Sequence, residues 1–130
     1  MLNTVQIIAF THRQFNFDEI GLFHLDDKQR IDVLTNLKTN LDIDELMYLS
    51  TCNRVEFIVS HEKKISKTFV EQLIKQLLAD QVPTNLKDIV DRVEIIINKA
   101  AVHHIFSVAS SIDSLVVGER EIITQVRKAF

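Results

Sequence analysis

The amino-acid sequence predicts an α+β fold, a ferredoxin-like βαββαβ sandwich with a C-terminal helical extension. Four segments rich in β-branched and aromatic residues have the length of strands. Two longer segments repeat their apolar residues at helical spacing, and together these elements follow the order β-α-β-β-α-β of a ferredoxin-like sandwich. The chain of 130 residues is 46% hydrophobic, which matches the size and composition of one ordinary domain.

The first half of the pattern is a strand followed by a helix. Apolar side chains occupy both faces of Thr4 to Thr11, which predicts a strand buried on both sides. Asp26 and Asp27 can cap a helix, and apolar residues then recur at helical spacing up to about Thr39. The recurring residues are Ile31, Leu34 and Leu37. We therefore expect the first helix in this segment.

A β-hairpin is predicted next, from two short apolar runs over Leu46 to Leu49 and Val55 to Val59. The residues between the runs include Cys52 and Asn53, and asparagine tolerates the left-handed conformation that a tight turn can require. We therefore expect Cys52 near the tip of the hairpin.

The second helix has the most regular apolar stripe in the sequence and is expected to end before Pro83. Its stripe comprises Ile65, Phe69, Val70, Leu73, Ile74, Leu77 and Leu78. A fourth strand is then predicted over Val93 to Ile97.

Residues 1–98 are expected to form the sandwich, and residues 99–130 a helical extension that completes the same domain. Helices are predicted at about Lys99 to Ser110 and Glu119 to Phe130, with Gly118 marking the break between them. The apolar stripe of the last helix reaches the final residue without a stop signal, so we expect the native chain to be longer.

Composition restricts the class of protein. A net charge of −3 and a pI near 5.9 provide no general attraction to nucleic acid. A single cysteine cannot form an internal disulfide, and no apolar run approaches the roughly 18 residues of a membrane span. The N-terminus lacks the apolar stretch of a signal peptide. We therefore expect a cytoplasmic protein with no membrane partner.

Cys52 is the first candidate for chemistry. A lone cysteine is more often a small buried hydrophobe than a nucleophile, and at this point both interpretations stay open. A thiol at a hairpin tip can be reached by substrate, and the nearby Arg54 would favour the reactive thiolate. Arg54 could also bind a substrate carboxylate through two parallel hydrogen bonds, with Glu56 orienting it from behind. The alternative for both charged residues is simple exposure on a strand.

Helix geometry separates the two adjacent histidines. At about 100° per residue, His104 borders the apolar stripe of its helix, whereas His103 points nearly opposite to it. We therefore expect His104 to face inward, either as a satisfied core histidine or as a site residue. One cysteine and scattered histidines supply too few clustered ligands for zinc, so no metal is expected. The sequence also lacks the G-x-G-x-x-G turn of a dinucleotide site.

Two sequence blocks carry a resemblance to a known family. Leu49 to Glu56 reads L-S-T-C-N-R-V-E and resembles the S-T-C-N-R-x-E signature of the glutamyl-tRNA reductases. The block from His104 to Glu119 resembles the family's H-L-x-R-V-A-x-G-L-D-S-x-V-x-G-E, and the following Ile122, Gln125 and Val126 match its I-x-x-Q-V. His12 resembles the histidine of the family's N-terminal G-x-x-H.

The resemblance implies a reaction and roles for individual residues. The thiolate of Cys52 would attack the ester of glutamyl-tRNA to form a thioester, which NADPH would reduce to glutamate-1-semialdehyde for tetrapyrrole synthesis. His104 would act near the carbonyl as acid, base or hydrogen-bond donor. Other positions carried over are the substrate-binding Thr51, Arg54 and Ser114 and the supporting Asn53, Glu56, Glu119, Gln125 and His12.

The resemblance also implies partners and marks departures. NADPH would be bound by a separate domain, the full-length enzyme would be a homodimer through a further C-terminal domain, and glutamate-1-semialdehyde aminotransferase would be a partner. Ser111 and Ser107 replace the family's usual glycine and arginine, and Glu121 replaces a common glutamine.

Two other classes of function stay open from the residues alone. One is a cysteine-dependent acyl hydrolase in which Cys52 and His104 form a nucleophile and base pair. The other is a non-catalytic ligand-binding module, since a ferredoxin-like fold does not determine function.

Overall fold

Four strands form one antiparallel sheet in the order β2-β3-β1-β4 in the computed structural model, which describes residues 4–97, 100, 101, 103 and 104. The strands are β1 Thr4–Thr11, β2 Glu45–Thr51, β3 Arg54–His61 and β4 Glu94–Ile97. All four predicted strands are therefore confirmed, with small differences at their ends. The chain forms a small mixed α/β domain.

Four helices and one short 3-10 helix lie within residues 4–97. They are α1 Phe17–Gly21, α2 Arg30–Asn40, α3 Lys67–Leu78 and α4 Leu86–Arg92, with the 3-10 helix at Ala79–Gln81. The two predicted helices correspond to α2 and α3. The other two helices were not predicted, because segments of five and seven residues are too short to show a helical period.

Helix α2 differs from its predicted apolar stripe. Ile31 is 74% exposed, whereas Leu37 is buried and Leu34 is half-buried. The helix therefore packs through a stripe that is rotated away from Ile31. The predicted capping residue Asp26 lies one turn before the start of α2, where its carboxylate accepts from the Gln29 backbone N–H at 2.8 Å and its carbonyl accepts from the Arg30 N–H at 3.1 Å. Gln29, which directly precedes the helix, makes no side-chain cap.

Helix α3 follows its predicted stripe. Ser66 caps the helix by accepting a hydrogen bond from the backbone N–H of Phe69. Val70, Leu73 and Ile74 are buried in the same hydrophobic core as Phe10 and Phe57 of the sheet. The amphipathic pattern therefore predicted both the presence of this helix and the face that it buries.

Both faces of the sheet are covered. The larger core lies between the sheet and helices α2 to α4 and includes Phe10 and Phe57. Alternate residues of the strands point to the opposite face, where Ile7, Ala9 and Ile58 form a smaller core with Ala101. Arg54 and Glu56 lie on β3 at even spacing from Ile58, so they belong to this second face. The burial of β1 on both sides is confirmed.

The C-terminal predictions fall mostly outside the described residues. Ala100, Ala101, His103 and His104 are helical, in agreement with the predicted start of the extension. The other predicted positions there, which are Ser107, Ser111, Ser114, Gly118, Glu119, Glu121 and Gln125, lie outside the described residues. Among the helices that are described, none has the length and apolar character needed to cross a membrane.

Candidate active site

Cys52 lies at the tip of the β2–β3 hairpin. Thr51 and Arg54 are paired across the two strands, so Cys52 and Asn53 alone form the connection. The backbone N–H of Asn53 donates to the Thr51 side-chain oxygen at 3.3 Å. Cys52 is exposed, which confirms the predicted position and rules out the interpretation of a buried structural cysteine.

The tip does not use the left-handed conformation considered for Asn53. Among the described non-glycine residues, only Asp42 and Ala79 have positive φ angles. The turn is instead held to the neighbouring strand, because the backbone N–H of His12 donates to the Asn53 carbonyl at 3.1 Å. His12 therefore lies beside the tip with an exposed side chain.

Arg54 is the first residue of β3, and its guanidinium has one ion-pair contact among the described residues. Its Nη1 atom lies 3.8 Å from Oε1 of Glu56, which is an ion-pair distance but too long for a hydrogen bond. Within the described part of the chain, no hydrogen bond from the Arg54 guanidinium is found, and the side chain is 24% exposed. A guanidinium in this state can donate two parallel hydrogen bonds to a ligand carboxylate.

Arg92 shows the contrasting case of an arginine used for structure. Its guanidinium donates to both carboxylate oxygens of Glu19, at 3.0 and 2.6 Å, and to Asp88 at 2.8 Å. It also donates to the Gln14 carbonyl at 3.0 Å and lies over the ring of Phe15. The Arg92 hydrogen bonds lower the pKa of Glu19 to about 2, and the same contacts raise the pKa of Arg92. This arginine joins α1 to α4.

Glu56 and His104 form a close pair on the second face of the sheet. The Glu56 side chain is fully buried, and its Oε1 lies 2.6 Å from Nε2 of His104. His104 is 25% exposed, while His103 is exposed on the other side of the helix. The prediction that His104 faces inward is therefore confirmed. The second carboxylate oxygen of Glu56, Oε2, is buried and has no hydrogen-bond partner among the residues that the structure describes.

Two residues near the tip were not predicted. Thr11 is a buried polar residue that pairs with Arg54 in the β1–β3 register, and it could have been found from the antiparallel pairing of these strands. His24 lies 2.5 Å from the Ser50 hydroxyl through its Nδ1 atom, and burial lowers the pKa of this histidine. No local pattern identifies His24, because the contact joins distant segments.

The structure thus groups most of the predicted site residues that it describes. Arg54, Glu56 and His104 are in contact or at ion-pair distance, and Thr51, Cys52, Asn53 and His12 surround the adjoining tip. Ser114, Glu119 and Gln125 lie outside the described residues. Within the described ranges, no group of three His, Cys, Asp or Glu side chains could hold a metal ion.

Comparison with known proteins identifies the family. The family model described as glutamyl-tRNAGlu reductase, N-terminal domain, matches residues 8–130. The chain belongs to this family. Proteins named glutamyl-tRNA reductase from Nitratiruptor sp. and Sulfurimonas denitrificans are 38% and 35% identical to it, over 127 and 124 residues. Each alignment covers 95% of this chain and 28% of the relative, so the chain spans only part of these proteins.

A solved structure agrees with this membership at the level of the fold. Glutamyl-tRNA reductase from Methanopyrus kandleri superposes with a TM-score of 0.57 at 24% identity, covering 99% of this chain and 27% of that chain. The predicted resemblance to the glutamyl-tRNA reductases is therefore confirmed, and the four-stranded domain is that of the family.

Proposed function

We propose that this chain is the N-terminal catalytic domain of a glutamyl-tRNA reductase and forms the covalent intermediate of that enzyme. The observation that supports the proposal is an exposed thiol, Cys52, two residues before an arginine whose guanidinium makes no hydrogen bond to another described residue. A nucleophile beside a group that can bind a carboxylate suits an acyl substrate that carries a second carboxylate. A glutamyl ester has both features.

In the proposed step, the Cys52 sulfur attacks the carbonyl carbon of the ester that joins glutamate to tRNA. A carbon–sulfur bond forms and the carbon–oxygen ester bond breaks, so that the tRNA leaves with its hydroxyl oxygen. The thiol proton is lost, and the leaving oxygen gains a proton. The resulting thioester is more electrophilic than the oxygen ester, which prepares the acyl group for reduction.

Arg54 would determine the specificity for glutamate. Arg54 directly follows the two residues of the hairpin tip and lies on the second face of the sheet. Its guanidinium would pair with the side-chain carboxylate of the glutamyl group. Thr51, paired with Arg54 across the hairpin, and Ser114 would contact the same group. His104 would supply a proton, a base or a hydrogen bond near the carbonyl.

NADPH would supply the hydride in the complete enzyme, as the family implies. The residues of this chain do not suit a dinucleotide site. Gly21 and Gly118 are its only glycines, and they are too far apart in the sequence to form the glycine-rich turn that binds a dinucleotide phosphate. We therefore assign the NADPH site to a part of the enzyme outside residues 1–130.

The other assignments follow from the same proposal. The strand order and the helical connections support a ferredoxin-like sandwich over residues 1–98, completed by the helical extension over residues 99–130. The product would be glutamate-1-semialdehyde for tetrapyrrole synthesis in the cytoplasm. Glutamyl-tRNA would be the substrate. The partners would be a second copy of the full-length enzyme and glutamate-1-semialdehyde aminotransferase.

The proposal is tested by incubating the chain with tRNA charged with radiolabelled glutamate. We expect label on Cys52 that hydroxylamine releases, because hydroxylamine cleaves thioesters. Cys52→Ser is the matched control, and it should remain unlabelled while retaining the circular-dichroism spectrum of the wild type. A folded wild-type chain that never acquires label would overturn the proposal. Turnover of simple thioesters without a preference for glutamyl-tRNA would instead indicate an acyl hydrolase.

A further inference from the structure

Glu56 is a fully buried carboxylate in an apolar part of the sheet. It lies near the middle of β3, with Ala9 and Leu49 as its partners on the two neighbouring strands. The surrounding second core consists of Ile7, Ala9, Leu49, Ile58 and Ala101. Removing a carboxylate from water at such a position costs several kcal/mol unless nearby groups compensate it. Its contacts therefore indicate why the position carries a glutamate.

Two groups that can carry positive charge approach the same oxygen of Glu56. Nε2 of His104 lies 2.6 Å from Oε1, which is the distance of a short hydrogen bond. Nη1 of Arg54 lies 3.8 Å from Oε1, which allows an ion pair alone. Glu56 is therefore bound chiefly to the imidazole. The guanidinium of Arg54 keeps its hydrogen-bond donors for another ligand, because at this distance it makes no hydrogen bond to Glu56.

We propose that Glu56 is a positioning residue that holds His104 with its proton on Nε2 and so leaves Nδ1 as the ring nitrogen that accepts a proton during acyl transfer. An ionised carboxylate can only accept hydrogen bonds, so the nitrogen that faces it must carry the hydrogen. In a neutral imidazole the other nitrogen is then the acceptor. This inference rests on the proposed function for its catalytic meaning, although the proton position can be measured without a substrate.

The proposed pairing also assists the proton transfer. When Nδ1 takes up the proton that the thiol loses, the ring becomes an imidazolium, and the adjacent carboxylate stabilises its positive charge. The same proton can then pass to the oxygen that leaves with the tRNA. Glu56 accepts no proton in this sequence and touches no substrate atom. It therefore acts through His104.

A different arrangement would produce the same 2.6 Å distance. If Glu56 were a neutral acid, it would donate its own hydrogen to Nε2, and the imidazole would carry its proton on Nδ1. The two arrangements predict opposite tautomers of His104. A measurement of the tautomer therefore decides between them.

The test uses the 130-residue chain labelled with 15N and two-bond proton–nitrogen correlations of the histidine rings. The chain has five histidines, and the signals of His104 are assigned by their disappearance in His104→Gln. We expect Nε2 of His104 to have the shift of a protonated nitrogen and Nδ1 that of an unprotonated one. Protonation on Nδ1 in the neutral ring would overturn the proposal.

The variant Glu56→Gln supplies the second arm, since it keeps the shape of the side chain and removes its charge. An amide can both donate and accept, so we expect the two tautomers of His104 to become mixed and acylation of Cys52 to slow by roughly 10- to 100-fold. Glu19→Gln is the matched control, because Glu19 bonds to Arg92 instead of a histidine, and it should leave the His104 shifts unchanged.

An unchanged His104 tautomer in folded Glu56→Gln would refute the role of Glu56, even if the wild type acylates normally. Conversely, a wild-type chain with the expected tautomer but no label on Cys52 would refute the proposed function. The inferred proton position in the Glu56–His104 pair would still stand. The two readouts therefore fail independently. A purely structural pairing would change the stability of the variant without changing the proton position.

Discussion

Replacing Arg54 with lysine is expected to reduce acyl transfer strongly while leaving the fold almost as stable as before. Lysine keeps the positive charge but cannot donate two parallel hydrogen bonds to a carboxylate. The change therefore removes one charge-assisted hydrogen bond to the glutamyl side chain. The contact of Arg54 with Glu56 is an ion pair at 3.8 Å, and lysine can replace it.

The magnitudes follow from these contacts. A hydrogen bond to a charged group contributes about 1.5 to 3 kcal/mol, and each 1.36 kcal/mol corresponds to about a tenfold change in rate. The second-order rate of Cys52 acylation should therefore fall roughly 10- to 150-fold. The free energy of unfolding should change by less than about 1 kcal/mol, because lysine keeps the positive charge beside Glu56 and the substitution removes no hydrogen bond from Arg54 to another described residue.

The assay measures label on Cys52 as a function of the concentration of glutamyl-tRNA, together with urea unfolding of each variant. Arg92→Lys is the matched control, because its arginine makes hydrogen bonds to Glu19, Asp88 and the Gln14 carbonyl. We expect Arg92→Lys to lose stability and to acylate at the wild-type rate once corrected for folded protein. If Arg54→Lys acylates as fast as the wild type, the assignment of Arg54 to the substrate carboxylate is wrong.

Two further predictions concern stability. The hydrogen bond from Arg92 lowers the pKa of Glu19 from 4.5 to about 2, so this stabilisation is complete above pH 4.5 and is lost as the pH falls toward 2. Glu19→Gln should cost about 1 to 2 kcal/mol at pH 7 and weaken the acid dependence, as measured by urea unfolding at several pH values; an unchanged dependence would contradict this. Tyr48→Phe should cost about 1 to 3 kcal/mol, because the Tyr48 hydroxyl donates to the Phe23 carbonyl and accepts from the Leu25 N–H, both at 3.0 Å. An unchanged urea midpoint would show that these groups find other partners.

Several elements could be predicted from local patterns because burial follows a short repeat. The apolar residues of α3 recur over three turns, so the helix and its buried face were both apparent. The four strands were recognisable from β-forming runs bounded by polar residues. The short helices α1 and α4 were not recognised, because five and seven residues are too few to show an apolar period. The capping box between Asn16 and Glu19 is a local signal that could have indicated α1, whereas the contact of Glu19 with Arg92 joins distant segments.

The site was predictable in its residue types and only partly in its arrangement. The signature around Cys52 identified the family, and the hairpin tip followed from the two strands that flank it. The inward orientation of His104 also followed from helical periodicity. Its partner did not, because Glu56 and His104 are separated by 48 positions and meet only when the helix covers the second face of the sheet.

The amino-acid sequence alone determined the strand and helix pattern, the position of the lone thiol in a turn and the family, since each depends on neighbours in the chain. The tertiary structure decided which charged groups are used for structure and which remain available. Arg92 and Arg54 are both arginines near carboxylates, yet the Nη atoms of Arg92 donate hydrogen bonds to Glu19, Asp88 and Gln14, whereas Arg54 makes no hydrogen bond through its guanidinium to another described residue. Sequence spacing cannot separate these cases, because partners from distant segments determine the hydrogen bonds and the burial of a side chain.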